Sequence, residues 1–254
     1  MKQTVRHRIR LPELDFSSES ESDVYFVLDH EDGRAEHIRF HDYDRIYSLP
    51  GLYEQIFYER LKCDSPRFLA LRMKEVLAAA GDDLNRQRVL DFGAGNGIMG
   101  QELARYGVSR LVGADISQAA MDALWRDRPG VYDAYFVGDL SRHDEALMKS
   151  LGGWDFNCLT TIAALGYDDI PVAAFHRAFN LIADGGWIAF NIKETFLGES
   201  DSSGLAVFIK RLVSGEFMQL YHLERYRHRI SIEGNPLYYC AVIGRKLAPM
   251  PDSP

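Results

Sequence analysis

The residues best able to do chemistry sit in one stretch, Val89-Leu90-Asp91-Phe92-Gly93-Ala94-Gly95-Asn96-Gly97-Ile98-Met99-Gly100. A short apolar run leads into a glycine-rich turn, and the turn opens a segment of helical pattern. Glycines let the chain bend tightly and let a ligand approach the main chain without meeting a Cβ. A helix start behind them offers free N–H groups and partial positive charge to an anionic group. Gly95-x-Gly97-x-x-Gly100 also matches the dinucleotide fingerprint, a weak signal when it stands alone. Asp115 strengthens it. It ends the next apolar run, 20 residues after Gly95, where a carboxylate can accept from both hydroxyls of a ribose. Two further carboxylates narrow the ligand. Asp91, ahead of the glycines, would repel a pyrophosphate and suits a ligand carrying an ammonium group. Asp139, ending Tyr135-Phe136-Val137-Gly138-Asp139, can accept from the exocyclic amine of adenine.

These residues need a scaffold, and the pattern after residue 86 supplies one. Runs of strand length at 88–92, 110–115, 134–138, 154–160 and 186–192 alternate with helical segments at 96–106, 118–126, 142–150 and 170–182. Strict alternation predicts a parallel sheet with helices on both faces. A helix over 205–213 follows. Two last strands, 218–232 and 237–245, are joined by Glu233-Gly234-Asn235-Pro236 and form an antiparallel pair. Nucleotide dehydrogenases normally lack such a pair. Upstream, 24–28 and 36–40 read as a small hairpin outside the main sheet. Residues 43–63 are aromatic and mostly helical, broken at Leu49-Pro50-Gly51. Asp64-Ser65-Pro66 starts a further helix, and Gly81 stops it. Residues 13–23 mix acids with serines and contain no Lys or Arg. They read as a solvated arm, with a phosphorylated or partner-binding tail as the competing reading.

Composition limits the partners. The 254 residues carry 29 Lys+Arg against 37 Asp+Glu, a formal charge of −8. That balance disfavours a nucleic-acid backbone as partner. Cys63, Cys158 and Cys240 are odd in number, far apart and not at metal-ligand spacing, so no metal site is expected and a reducing cytoplasm fits. No run approaches the length of a membrane span, and the basic start of the chain has no apolar run behind it, so neither a membrane association nor a secretory signal is expected.

Over residues 86–246 the ordered set resembles the class I S-adenosylmethionine-dependent methyltransferases of small-molecule type. Asp91-x-Gly93-x-Gly95-x-Gly97 looks like their first motif, and Val112-Gly113-Ala114-Asp115-Ile116-Ser117 like the ribose-binding strand end. Gly138-Asp139-Leu140 looks like the adenine turn. Trp154-Asp155-Phe156-Asn157 looks like the start of the fourth strand, and Asp184-Gly185-Gly186-Trp187 like the turn into the fifth. Tyr43-Asp44-x-x-Tyr47 is similar to the aromatic segment that many members fold over the cofactor. The resemblance implies a Rossmann-like α/β fold with a seven-stranded, mostly parallel sheet and an antiparallel C-terminal strand. Residues 64–254 would form the methyltransferase domain, and 1–63 an arm, hairpin and aromatic cap. It implies S-adenosylmethionine as cofactor, leaving as S-adenosylhomocysteine. Gly93, Ala94 and Gly95 would cradle the methionine moiety, and Asp91 would meet its ammonium directly or through water. Asp115 would hold the ribose, Ile116 would pack on adenine, and Asp139 and Leu140 would flank its edge. Thr160 would face the sulfonium, and Tyr43 and Tyr47 would close the pocket.

Methyl transfer needs placement more than a particular catalytic group, and a base only when the acceptor must lose a proton. The fourth strand continues Cys158-Leu159-Thr160-Thr161, unlike the signature of amino-methylating nucleic-acid enzymes. A small-molecule acceptor remains by exclusion. Base candidates are His143, Lys193 and Glu194, each with a plain solvated reading beside it. His228 reads as a packed histidine and Cys158 as a buried hydrophobe. Arg225, Arg227 and Arg229 form one face of their strand, either to bind an acidic substrate or as a charged sheet face. Tyr43, Tyr47, Tyr53, Phe57 and Tyr58 line a substrate pocket or pack a helix on the core. Two other functions stay open: a non-catalytic module of the same fold, and a nicotinamide-dependent oxidoreductase. The oligomeric state is open as well, with a homodimer as one option.

Overall fold

The computed structural model describes residues 5–12, 24–108, 110–166, 169–197, 203–214 and 216–251. The acidic segment 13–23 lies outside them. The chain begins with a three-stranded antiparallel sheet, β1 (Arg8–Arg10), β2 (Tyr25–Asp29) and β3 (Ala35–Arg39). The expected hairpin is β2–β3, turning at Gly33 with φ +85°; β1 on its other edge is an addition. Helix α1 (Tyr43–Ser48) follows. After the Leu49-Pro50-Gly51 break comes a π-helical segment, Glu54–Arg60. Phe26, Leu28, Ile38, Ile46, Leu52, Ile56 and Leu61 pack together as the core of this N-terminal region.

Helix α2 (Ser65–Ala79) carries its proline in the first turn and stops before Gly81, φ +76°. The alternating elements then run β4 (Arg88–Phe92), α3 (Ile98–Arg105), β5 (Arg110–Asp115), α4 (Gln118–Asp127), β6 (Ala134–Val137), α5 (Glu145–Gly152), β7 (Cys158–Thr161), α6 (Val172–Asn180), β8 (Trp187–Lys193), α7 (Gly204–Val213), β9 (Met218–Ile230) and β10 (Pro236–Lys246). The seven strands stand in the order β6-β5-β4-β7-β8-β10-β9. From β6 to β8 every pairing is parallel, whereas β10 is antiparallel to both neighbours. The last strand therefore inserts between β8 and β9. This is the Rossmann-like sheet expected from the alternation, and its reversed strand is β10 alone.

Period-two alternation splits the core in two. Leu90, Val112, Leu159, Phe190 and Val242 face α5, α6 and α7. Val89, Leu111, Cys158, Ala189 and Ala241 face α2, α3 and α4. Boundaries differ from the sequence expectation where turn chemistry intervenes. The fourth strand starts at Cys158 rather than Trp154, because Asp155 takes φ +51° and Asn157 turns its side-chain oxygen to accept from Arg88 N. The fifth helix starts at Glu145 rather than 142, where the Asp144 carboxylate accepts from Leu147 N as its cap. Among the described residues no helix is long and apolar enough to cross a membrane.

Lys246 ends the reversed strand inside the protein, 2% exposed. Its ammonium donates to the carbonyls of Asn180, the last residue of α6, and of Ile182 just beyond it, and burial lowers its pKa. Lys246→Met leaves those carbonyls without this donor. Urea unfolding of the variant is expected to lose roughly 1–3 kcal/mol with an unchanged denaturant slope.

Candidate functional site

A cleft of about 520 Å³ opens where β4 to β7 end, beneath the aromatic segment. That is the carboxyl edge of the sheet, where ligands bind in open α/β folds, and the volume is typical of a small-molecule site. Gly93, Ala94, Gly95, Asp115, Ile116, Asp139, Leu140, Tyr43 and Tyr47 all line it. The structure brings these nine expected residues to one cleft.

Gly93 and Gly95 hold φ +72° and +52°, and a Cβ at either would fall 2.8 Å from Ala164 Cβ and 2.5 Å from Tyr47 Oη, respectively. Their backbone approach is thus obligatory. Four of the turn's N–H groups are engaged within the protein. Gly93 N and Ala94 N donate to Ala114 O, Gly97 N to Ala94 O, and Gly95 N to Asp115 Oδ2. A pyrophosphate would find those donors engaged. Other motif glycines serve packing: Cβ atoms at Gly97 and Gly100 would strike Leu124 and the Tyr132 ring.

Asp115 accepts from Gly95 N and from Ser117 N, each at 2.9 Å. A carboxylate has about four acceptor positions, more than these two bonds use. Burial raises the Asp115 pKa, while the N–H groups of Ser117, Gly95 and Ile116 oppose the rise. Ile116 stands 65% exposed at the cleft edge, an apolar face suited to a flat ring. Asp139 accepts from Ser141 N and Oγ and pairs with Arg142 at 3.0 Å; the Ser141 hydroxyl leads in lowering its pKa. Asp42, Asp44 and Asp169 join Asp115 and Asp139 in the lining against one arginine, Arg45, giving a net acidic rim.

Two expected contacts do not face the cleft. Asp91 is 1% exposed. Its Oδ2 accepts from Tyr132 Oη at 2.6 Å and its Oδ1 from Thr160 Oγ1 at 2.7 Å. The Thr160 hydroxyl, expected toward a sulfonium, is turned into the sheet interior by that bond. Asp91, expected to meet an ammonium directly or through water, does not line the cleft, and each of its oxygens accepts from a hydroxyl below the turn. Burial pushes the Asp91 pKa up to about 6; the Tyr132 and Thr160 donors oppose this, and the Asp115 charge adds to it.

None of the three base candidates lines the cleft. His143 is 79% exposed at its side chain, beside Glu145. Glu194 pairs with Arg225 on the surface, and Lys193 sits at the end of β8 opposite Tyr239. Sequence reasoning missed a pair that does line it. His41 Nδ1 lies 3.1 Å from Asp169 Oδ1, joining positions 128 residues apart. A histidine held by a carboxylate can take a proton from an acceptor hydroxyl.

The aromatic segment is fastened over the cleft. Ser117 Oγ donates to Asp44. Asn96 Nδ2 and Arg128 Nη1 both reach Glu54 Oε1 at 2.8 Å, and Arg126 Nη1 donates to Tyr47 O at 3.1 Å. Tyr47 and Tyr53 pack at 4.7 Å between ring centroids, and Tyr53 and Tyr58 at 6.0 Å. Tyr43, Tyr47, Tyr53 and Tyr58 therefore wall the cleft, while Phe57 lies behind them.

A family model described as a methyltransferase domain matches residues 64–230, more than half of the chain. The chain belongs to the methyltransferase-domain family. It is an enzyme of methyl transfer on a class I, Rossmann-like sheet, as its motifs implied. No curated protein matches its sequence. Several solved structures are similar. The magnesium protoporphyrin IX methyltransferase of Synechocystis PCC 6803 with bound SAM is 13% identical, with TM-score 0.49 over 72% of this chain and 79% of that one. An S-adenosylmethionine-dependent methyltransferase from Methanosarcina mazei is 16% identical, with TM-score 0.45 over 63% and 92%. TehB from Haemophilus influenzae is 14% identical, with TM-score 0.45 over 68% and 61%. These likenesses say nothing of this methyltransferase's acceptor.

The buried carboxylate sets a pH signature. A native pKa of about 6 against the ordinary 3.8 means that the fold holds the proton more tightly than the unfolded chain. Stability from that proton is present below about pH 4 and is lost as pH rises to about 6. Asp91→Asn lacks this term. Unfolding free energies across pH 4–8 are expected to shift in favour of the variant by up to about 3 kcal/mol through that window and to run parallel to wild type above it.

Proposed function

We propose that this methyltransferase uses S-adenosylmethionine, held in the acid-rimmed cleft, to methylate a small-molecule acceptor. The observation that carries the reading is the rim itself. Five aspartates against one arginine, Arg45, line the cleft, and four N–H donors of the glycine turn are engaged within the protein. Such a site favours a cation and disfavours a dinucleotide's phosphates.

The residues present fit this cofactor. Asp115 keeps acceptor capacity beyond its backbone bonds, Ile116 and Leu140 offer apolar faces to adenine, and Gly93, Ala94 and Gly95 line the same cleft. The bound cofactor supplies an activated methyl group on a sulfonium sulfur. The protein's own part is orientation and exclusion of water. Tyr43, Tyr47, Tyr53 and Tyr58 cover the cleft, and fastening of their segment to Ser117 and Asn96 keeps them there. His41, backed by Asp169, takes the proton of a hydroxyl acceptor. The overall negative charge supports an acceptor other than nucleic acid. Three free cysteines support a reducing, cytoplasmic setting. The division at residues 63 and 64 follows the same reading, with a cap ahead of a catalytic core.

Calorimetry with S-adenosylhomocysteine tests the cofactor. Binding by the folded wild type is expected, with at least a tenfold loss in Asp115→Ala. Gly95→Ala is expected to lose affinity too, because its Cβ meets Tyr47 Oη in a left-handed backbone. No binding by wild type, or an Asp115→Ala affinity equal to it, refutes the proposal.

A further inference from the structure

A second, smaller pocket of about 60 Å³ adjoins the cleft, and His41, Tyr43, Tyr53, Ala163, Ala164 and Asp169 line both. It has room for an end group of a few atoms, not for a cofactor. Its other walls include Phe40, Phe57 and Tyr239, and its cation is Arg229.

Arg229 reaches this pocket through a local break in pairing. Alternation along β9 would place it with Arg225 and Arg227. The register instead pairs Arg227 with Tyr238 and Arg229 with Leu237, so His228 is the extra residue of a β-bulge. Bulges re-aim side chains, and here His228 and Arg229 both line the pocket. The bulge is braced from beneath. His228 Nδ1 lies 2.6 Å from Ser65 Oγ; Ser65 Oγ and Tyr226 Oη both accept from Asn191 Nδ2, and Asn191 Oδ1 accepts from Ala163 N at 2.6 Å. Ala163 itself holds φ +58° in the wall shared by the two cavities, a strained position that surrounding bonds must fix.

Among the described residues no carboxylate pairs with Arg229. Its guanidinium makes one hydrogen bond, from Nη1 to Ile230 O at 3.1 Å. A guanidinium has five donors, so a forked anion can be met by the rest. Asp169, the acid in the same lining, is engaged by His41. His228 does not add a second charge, since burial pushes its pKa down to about 3.

We propose that the small pocket receives the carboxylate of the methyl acceptor, with Arg229 as its counter-ion, and that the acceptor is an aromatic acid seated against Tyr43, Tyr53 and Phe57. This rests on the adjoining cleft being the methyl-donor site. The probes are 4-hydroxybenzoate, 4-coumarate and indole-3-acetate, each beside its neutral amide, titrated into the protein saturated with S-adenosylhomocysteine. At least one acid is expected to bind tenfold or more tightly than its amide. Arg229→Gln is expected to abolish that preference, and Arg229→Lys to restore part of it. Affinity for S-adenosylhomocysteine should stay within twofold in both variants, which also reports that they fold. The proposal is overturned if no acid outbinds its amide, or if Arg229→Gln keeps the preference. Failure of wild type to bind S-adenosylhomocysteine refutes the donor site instead, a separate result.

Discussion

The structure turns on a carboxylate that no solvent reaches. Asp91 stands in the middle strand of the parallel sheet, level with Gly113 of β5 and Thr160 of β7. Thr160 donates to one oxygen and Tyr132 to the other, so the strand before the glycine turn is tied to its neighbour and to the segment entering β6. Burying a carboxylate is tolerable only when donors meet it, and those donors dictate what surrounds them. The Tyr132 ring needs the space above Gly97 and Gly100, and the Tyr135 ring needs the missing Cβ of Gly113. Tyr135 then donates from Oη to Gly95 O at 2.8 Å, fixing the turn from its other side. Much of the glycine spacing is thus a packing requirement beneath the site. Gly93 and Gly95 line the cleft, where Ala164 and Tyr47 occupy the space of their missing Cβ atoms.

The aromatic segment follows from the same frame. Asn96, in the glycine turn, reaches out to Glu54, and Ser117, capping α4 through Ala120 N, also donates to Asp44. Each residue does double work, closing a local backbone need and holding a lid element. Ala120 and Ala123 give Tyr47 a flat seat on α4. These part-buried polar contacts fasten a segment whose aromatic packing already sets its place.

What the sequence disclosed depended on whether the physics was local. Strands β4 and β5 lie at the expected residues, because short apolar runs bounded by turn residues leave little choice. The acid at the end of β5 and the glycine cradle were legible for the same reason. Asp91 was read as a ligand contact because burial and hydroxyl donors 41 and 69 residues away leave no mark beside it. His41 and Asp169 flank separate elements, and only the folded chain joins them. Arg229 was legible as a charge but not as a direction. Strict alternation placed it on one face with Arg225 and Arg227, and one bulged residue moves it off that face.

The charges of the two cavities differ, and that arrangement bears on selectivity. Five aspartates and Arg45 line the larger cavity, whereas Arg229 faces a single acid, Asp169, in the smaller one. Under the proposed reading, a cationic donor finds the more acidic cavity and an anionic acceptor the one that holds Arg229. The cavities share a wall, so the two fields act side by side. The acid rim also favours a charged sulfonium over the neutral sulfide left after transfer, because the Coulomb attraction to that sulfur vanishes when the methyl group departs. The same aspartates that gather the donor therefore weaken the hold on the spent cofactor, and no moving part is needed for that difference.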